Sequence, residues 1–357
     1  GYIVAAVDVR GSGASYGRYE GVYSEAETRD AYEMTEWFAA QPWCDGNVGM
    51  YGGSYLGMTQ YMAASQAPPH LKAIFPSMAG FDLYSLVYTG CVFRDDFIDH
   101  WGNLTRNLDL SQPAPVVDED PEGEKRAEAI RQHEDNWDPR VEARKTGFRD
   151  GEYYENEFRP MNPSEHIAAI NRSGVPVYQW SAWFDIYTRD AFRWLENLEA
   201  PNRLTLGPWG HGTSDPKNER DRFYRIELLR WFDYWLKGID NGVLEEPPIH
   251  YATMVDPETW TWNTADTWPL PEAKSVSYYF SEGPSGSVSS VNDGVLSPES
   301  PSQEEGEDAF QVDYTTTTGA QSRWANGCGA PMDYPDMTEY DRNGLTYTTE
   351  PLSEDIN

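Results

Sequence analysis

Val48-Gly-Met-Tyr-Gly-Gly-Ser54-Tyr-Leu-Gly57, running on into Met58-Thr-Gln-Tyr-Met-Ala-Ala64, decides the fold of this 357-residue chain. A short apolar run, a tight glycine turn, a serine and a helix-like stretch together make a nucleophile elbow. Such a turn forces the serine into a strained backbone conformation. Only residues without Cβ, here Gly52 and Gly57, leave room for strand and helix to approach each other. The usual motif carries its last glycine where Leu56 stands. Taken alone, the stretch therefore fits a plain Gly-Ser turn about as well.

The partners decide between the two. An elbow serine needs a histidine base and a carboxylate that orients it, and in this architecture they follow in the order serine, acid, histidine. Val175-Pro-Val-Tyr-Gln-Trp180 reads as a buried strand, and the loop Ser181-Ala-Trp-Phe-Asp185 delivers Asp185 at its C-terminal end, where open α/β sheets place their sites. Arg203-Leu-Thr-Leu-Gly207 is the next strand, and Pro208-Trp-Gly-His211-Gly212 brings His211 to the same end. The ordered trio Ser54, Asp185 and His211 outweighs the reading of each as an ordinary polar residue. His70, His100, His133, His166 and His250 have no such setting and read as structural.

These residues, with Asp8-Val-Arg-Gly11, Gln41-Pro-Trp-Cys-Asp-Gly-Asn-Val-Gly-Met50, Leu71-Lys-Ala-Ile-Phe-Pro-Ser-Met78, Trp183-Phe-Asp185 and Gly207-Pro-Trp-Gly-His211, give the chain its resemblance to the X-prolyl dipeptidyl-peptidase and cocaine-esterase-like (CocE/NonD) serine hydrolases. The motifs run through the catalytic region in family order. The resemblance implies Ser54 as nucleophile, Asp185 as orienting acid and His211 as general base. It also implies an α/β-hydrolase catalytic domain with a helical cap insertion, followed by a β-sandwich of jelly-roll type. The backbone N–H of Tyr55, directly after the nucleophile, is the natural first oxyanion donor. The resemblance places the second donor, a tyrosine hydroxyl, upstream of Gly1. The chain opens without methionine on the strand-like run Tyr2-Ile-Val-Ala-Ala-Val7 and ends at Asn357 in β-like sequence. It reads as a fragment that lacks N-terminal strands and the end of its last domain.

Composition fits a large soluble enzyme, with 39% hydrophobic and 14% aromatic residues. No apolar run reaches the ~20 residues that span a bilayer. Cys44, Cys91 and Cys328 are widely separated, so neither a disulfide framework nor a zinc site is expected, and buried free thiols are the default. No cofactor is called for. A formal charge of −32, from 59 acidic against 27 basic side chains, excludes general binding to nucleic acid or anionic membranes. The same charge motivates the hypothesis of a halophilic source, where salt screens the repulsion. Compartment and oligomeric state stay open.

Along the chain, Ser24-Glu-Ala-Glu27 is a capping box opening a helix whose Ala31, Met34 and Phe38 face the sheet. Residues 1–90 form the first part of the catalytic core and 91–165, rich in charge and helix formers, a helical cap. Residues 166–245 form the second part of the core, and 246–357 a β-sandwich. A helix over Asp221–Lys237 uses Phe223, Ile226, Leu229, Trp231 and Leu236, with Gly238 as its C-cap. The runs Ile249-His-Tyr-Ala-Thr-Met254 and Ser275-Val-Ser-Tyr-Tyr-Phe280 are assigned to the sandwich. Trp260, Trp262 and Trp268 read as interdomain packing rather than a sugar platform. Tyr88, Phe93 and Trp101 are candidates to line an acyl pocket beneath the cap, with ordinary cap packing as the plainer reading.

The expected substrate is a small ester, amide or short peptide, with X-Pro dipeptidyl-peptidase as the alternative. Relatives acting on α-amino acid esters carry extra carboxylates just after the orienting Asp, whereas Ile186, Tyr187 and Thr188 follow here, which lowers that reading. Asp95 and Asp96 are an acidic pair in the cap that could hold an amine. A different class, an inactive carbohydrate-binding or scaffolding protein on the same fold, stands as the competing reading.

Overall fold

The computed structural model describes residues 1–111, 114–145, 149, 161–212, 219–256, 259–301, 306–316, 322–329 and 336–353. The chain divides into two compact units, Gly1–Asp266 with Gly327–Gly329, and Thr267–Asn326 with Ala330–Asn357.

In the first unit the order is α1 (Glu25–Ala39), β1 (Val48–Gly53), α2 (Tyr55–Ser65) and β2 (Leu71–Ser77). An inserted stretch follows: α3 (Leu83–Val87), the short hairpin β3 (Tyr88–Thr89) and β4 (Val92–Phe93), α4 (Asp95–Arg106), a π-helical turn at Asn107–Ser111, α5 (Glu124–His133) and α6 (Pro139–Glu142). The core then resumes with α7 (Ile167–Ser173), β5 (Val177–Ala182), α8 (Thr188–Asn197), β6 (Asn202–Gly207), α9 (Glu219–Lys237), β7 (Ile249–Asp256) and β8 (Thr259–Ala265). The described part of this insertion is mostly helical, with one short hairpin.

One six-stranded sheet in the order β1-β2-β5-β6-β7-β8 organises this unit. Its pairs are parallel from β1 to β7, and β8 closes it antiparallel. Parallel strands covered on both faces carry continuous apolar runs, and β2 and β5 are buried along almost their whole length. On one face Ala73, Phe75, Tyr178 and Trp180 pack with Trp231 and Phe232 of α9. The indole of Trp231 donates to Ile74 O at 3.0 Å, so its one polar atom is satisfied inside the core. Elsewhere Tyr61 of α2 stacks on Trp194 of α8 at 3.6 Å between ring centroids.

The sequence places α1 and α9 correctly but misjudges what they bury. Ser24 Oγ accepts from Glu27 N at 3.2 Å, closing the expected cap, yet Ala31, Met34 and Phe38 are only half-buried. They line a groove of ≈ 1890 Å³ between the first residues, α1 and β1. In α9, Trp231 is buried as expected while Ile226 and Leu229 are 43% and 50% exposed. Gly238 ends the helix at φ +66°.

Three further expectations are corrected. Tyr2–Val7 forms no strand: residues 1–9 join no ladder, and Ile3 and Val4 remain 65% and 66% exposed. A β-prone run becomes a strand only where a neighbour supplies hydrogen bonds, and here β1 is the edge of the sheet. Ile249–Met254 belongs to β7, which pairs parallel with β6 in the main sheet rather than in a sandwich. Periodicity identifies a strand but not its partner. The thiols are free but not buried, with Cys91 exposed at the hairpin turn and Cys44 and Cys328 intermediate.

The second unit carries a three-stranded sheet of β9 (Tyr279–Ser281), β10 (Asn292–Ser297) and β11 (Leu345–Thr348), in the order β11-β10-β9. Part of the Ser275–Phe280 run thus forms the start of β9.

Candidate active site

Ser54 sits between β1 and α2 with φ 58° and ψ −120°, the strained elbow conformation that the glycines around it permit. A Cβ on Gly52, itself at φ +149°, would lie 2.6 Å from Leu56 Cβ. One on Gly57 would lie 2.9 Å from both Ser77 O and Ala79 Cβ. The glycine at the position after Leu56 is thus what lets α2 lie against the end of β2. Ser54 N donates to Ser77 O at 2.9 Å, tying the elbow to that strand. Tyr55 begins α2, so its N–H belongs to the first helical turn, where amides have no carbonyl one turn back to bond.

Asp185 follows β5 and is completely buried. Its Oδ1 accepts from Tyr187 N at 2.7 Å, and its Oδ2 lies 2.5 Å from His211 Nδ1. The Thr188 hydroxyl donates to Ala182 O and Asp185 O at 2.7 and 2.8 Å, which fixes the turn that presents the carboxylate. Hydrogen bonding to Asp185 assigns the proton of neutral His211 to Nδ1 and leaves Nε2 as the acceptor. The Tyr187 ring lies 5.9 Å from the imidazole.

The loops that carry these residues are laced together. Phe184 N donates to Trp209 O at 3.1 Å and Trp183 N to Gly207 O at 2.9 Å, joining the acid loop to the histidine loop. Met78 N donates to Trp180 O at 2.7 Å, while Gly212 N approaches Met78 Sδ at 3.4 Å. Ser77–Met78 therefore touches both the amide of Ser54 and the residue after His211. A Cβ on Gly207 would fall 2.1 Å from the Trp209 ring, which stacks on Trp180 at 5.1 Å. Ser54, Asp185 and His211 thus leave the same edge of the sheet, and Asp185 and His211 meet directly.

Other sequence candidates are placed elsewhere. The Tyr88 hydroxyl donates to Ala143 O at 2.6 Å, and Phe93 packs on the Tyr88 ring at 5.3 Å, both contacts internal to the insertion. Trp101 lines the large groove, whose walls include Tyr55 and Leu56 but not Ser54, Asp185 or His211. Asp96 is held by Arg94 at 2.8 Å, and Asp95 accepts from Asp96 N at 2.8 Å, so this acidic pair serves the start of α4. His70 pairs with Glu36 at 2.7 Å, and His133 lies 2.8 Å from Ser15 O through Nε2.

The sequence reading missed a buried cluster directly behind the elbow. Glu27, read only as part of a capping box, places Oε2 2.7 Å from the Tyr55 hydroxyl and accepts from Tyr23 N at 3.1 Å. Desolvation raises its carboxyl from 4.5 to about 7, opposed by these same hydrogen bonds. The capping pattern signals the helix start, but which tyrosine the carboxylate meets is set by the packing of α1 on α2.

Residues 1–213 match the family model for X-Pro dipeptidyl-peptidase (S15 family). Residues 241–357 match that for the X-Pro dipeptidyl-peptidase C-terminal non-catalytic domain. A candidate serine esterase of Mycobacterium bovis is 33% identical over 100% of this chain and 62% of its own length. The cocaine esterase of Rhodococcus sp. is 26% identical over 100% of this chain and 65% of its own. The chain thus spans less than two thirds of the length of these relatives. Among solved structures, a CocE/NonD family hydrolase from Staphylococcus aureus aligns with a TM-score of 0.57 at 22% identity, over 76% of this chain and 42% of that one. An α-amino acid ester hydrolase aligns with 0.51 at 19%, over 84% and 52%. Both likenesses establish the α/β-hydrolase fold. With the S15 model covering the elbow and both partner loops, the chain belongs to the X-Pro dipeptidyl-peptidase (S15) family.

Proposed function

We propose that the whole protein is a serine hydrolase that cleaves carboxylic esters or amides through Ser54, His211 and Asp185. The observation that carries this reading is the 2.5 Å contact between buried Asp185 and His211 after β5 and β6, in a sheet whose strand β1 ends in a serine held at φ 58°. His211 Nε2 takes the Ser54 proton as Oγ attacks the acyl carbonyl, and the carbonyl electron pair moves onto oxygen. The tetrahedral oxyanion is met by the N–H of Tyr55, a contribution that is typically about 3 to 4 kcal/mol for such a donor. Collapse expels the alcohol or amine, which takes the proton back from His211. Water, deprotonated by His211, then attacks the acyl-enzyme, and Ser54 recovers its proton as the acid leaves. Asp185 keeps the imidazole in its tautomer and stabilises the imidazolium without taking the proton.

A second reading, an X-Pro dipeptidyl-peptidase, is favoured by the family-model match over residues 1–213. Against an α-amino ester substrate stands the segment after Asp185, where Ile186, Tyr187 and Thr188 carry no carboxylate for an ammonium group. Fluorophosphonate labelling tests the hydrolase reading against a non-catalytic one. Stoichiometric labelling of the folded full-length protein at Ser54 supports it, whereas no reaction favours a binding module.

A further inference from the structure

We infer that Glu27 is a positioning residue for the hydrolytic reaction, acting through the Tyr55 side chain on the amide that follows the nucleophile; this rests on the reading of Ser54 and Tyr55 above.

Tyr55 carries two functions on one residue. Its N–H is the proposed oxyanion donor, and its phenol turns toward α1 at the wall of the groove, where the hydroxyl lies 2.7 Å from Glu27 Oε2 and 3.3 Å from the Tyr19 hydroxyl. The Tyr23 ring packs on the Tyr55 ring at 4.5 Å. Glu27 holds both partners at once, since the same Oε2 accepts from Tyr23 N at 3.1 Å. Tyr23 itself stands at φ 54°, a conformation that costs on the order of 1–3 kcal/mol in a non-glycine residue and persists only where its surroundings impose it. Thr28 Oγ1 adds to that hold by donating to Tyr23 O at 3.3 Å.

A capping box normally returns the glutamate to the N-cap amide. Here it reaches one residue further, to Tyr23, and across to α2. Among the described residues Glu27 Oε1 is buried without a hydrogen-bond partner, a cost that helix capping alone does not require. The charged groups near the carboxylate are Arg10, which lowers its proton affinity, and Asp30, which raises it. They are paired with each other at 2.6 Å, and the phenols of Tyr19, Tyr23 and Tyr55 also lie close to the carboxylate. The elbow thus rests on a carboxylate whose position sets the tilt of Tyr55 and, through it, the aim of the amide. Displacement of such a donor by about 1 Å is enough to cost ~100-fold.

The test is a double-mutant cycle in the full-length protein with Glu27→Gln and Tyr55→Phe, measuring kcat and KM on a nitrophenyl ester together with Tm. Glu27→Gln keeps the shape and one acceptor, and Tyr55→Phe removes the hydroxyl alone. The expected result is a fall in kcat of ~10-fold to ~100-fold in each single variant at nearly constant KM. The double variant should fall no further than the worse single one, because both act through one contact. Losses that multiply, or a lowered Tm with kcat intact, overturn the inference while leaving the hydrolase reading in place. A wild-type protein whose turnover survives Ser54→Ala overturns both.

Discussion

Asp185 and His211, carried by adjacent parallel strands and separated by 26 positions in sequence, are joined by a 2.5 Å hydrogen bond inside the protein. The carboxylate is fully buried and its second oxygen is occupied by Tyr187 N, so it has one free task, the imidazole. Asp185→Asn would present an amide to Nδ1 and favour the wrong tautomer. The expected outcome is a fall in kcat of roughly four orders of magnitude, with Tm close to that of the wild type, read by steady-state kinetics and calorimetry.

The spacing of the elbow glycines makes a second prediction. Gly57→Ala puts a methyl 2.9 Å from a backbone carbonyl and a neighbouring Cβ, and neither can move without shifting a strand end. We expect a stability loss of about 1–3 kcal/mol with a drop in ester turnover, measured by urea denaturation and kcat/KM. A fully stable and active Gly57→Ala variant would show that the close approach of α2 to Ser77 is not required.

Acid–base behaviour gives the third. Burial raises Glu27 from 4.5 to about 7 and Asp190 from 3.8 to about 6. For each, the folded protein holds a proton that the unfolded chain has already released. Their contribution to stability is therefore present below the unfolded value and is lost as pH rises through the folded one. Between pH ~4.5 and ~7 the wild type should lose stability relative to Glu27→Gln, by an amount on the order of 3 kcal/mol if the whole shift is realised. Denaturation midpoints of the pair across that range measure the difference. Parallel pH dependences would show that the Glu27 proton is not linked to folding.

Charge supplies the fourth. With 59 acidic and 27 basic side chains, self-repulsion opposes the compact state in dilute buffer. Raising ionic strength from about 0.01 M to about 1 M shortens the screening length from ~30 Å to ~3 Å, so Tm of the full-length protein should rise across that range. Greatest stability and activity in dilute buffer would remove the halophilic hypothesis.

Much of this was legible in the sequence because the strongest signals are local. Gly52, Ser54 and Gly57 have the spacing of an elbow, and the strand-like runs before Asp185 and His211, in the order such a serine needs, decide for it over a plain Gly-Ser turn. What was not legible depends on pairing. Tyr2–Val7 and Ile249–Met254 have similar β-prone compositions, yet the first finds no ladder and the second becomes the fifth strand of the sheet. Ile226 and Leu229 keep helical spacing but face outward, because Trp231 and Phe232 claim the contact with the sheet. Glu27 was visible as a cap and invisible as a partner of Tyr55, since that contact joins residues 28 positions apart.

The most direct measurement is kcat/KM of the full-length protein, in high salt, for a short-chain nitrophenyl ester and a Gly-Pro anilide, with Ser54→Ala as control. Our account predicts turnover of at least one acyl substrate that disappears in Ser54→Ala, with efficient anilide cleavage moving the assignment to dipeptidyl-peptidase. Turnover of neither by the folded protein, or turnover that survives Ser54→Ala, would contradict it.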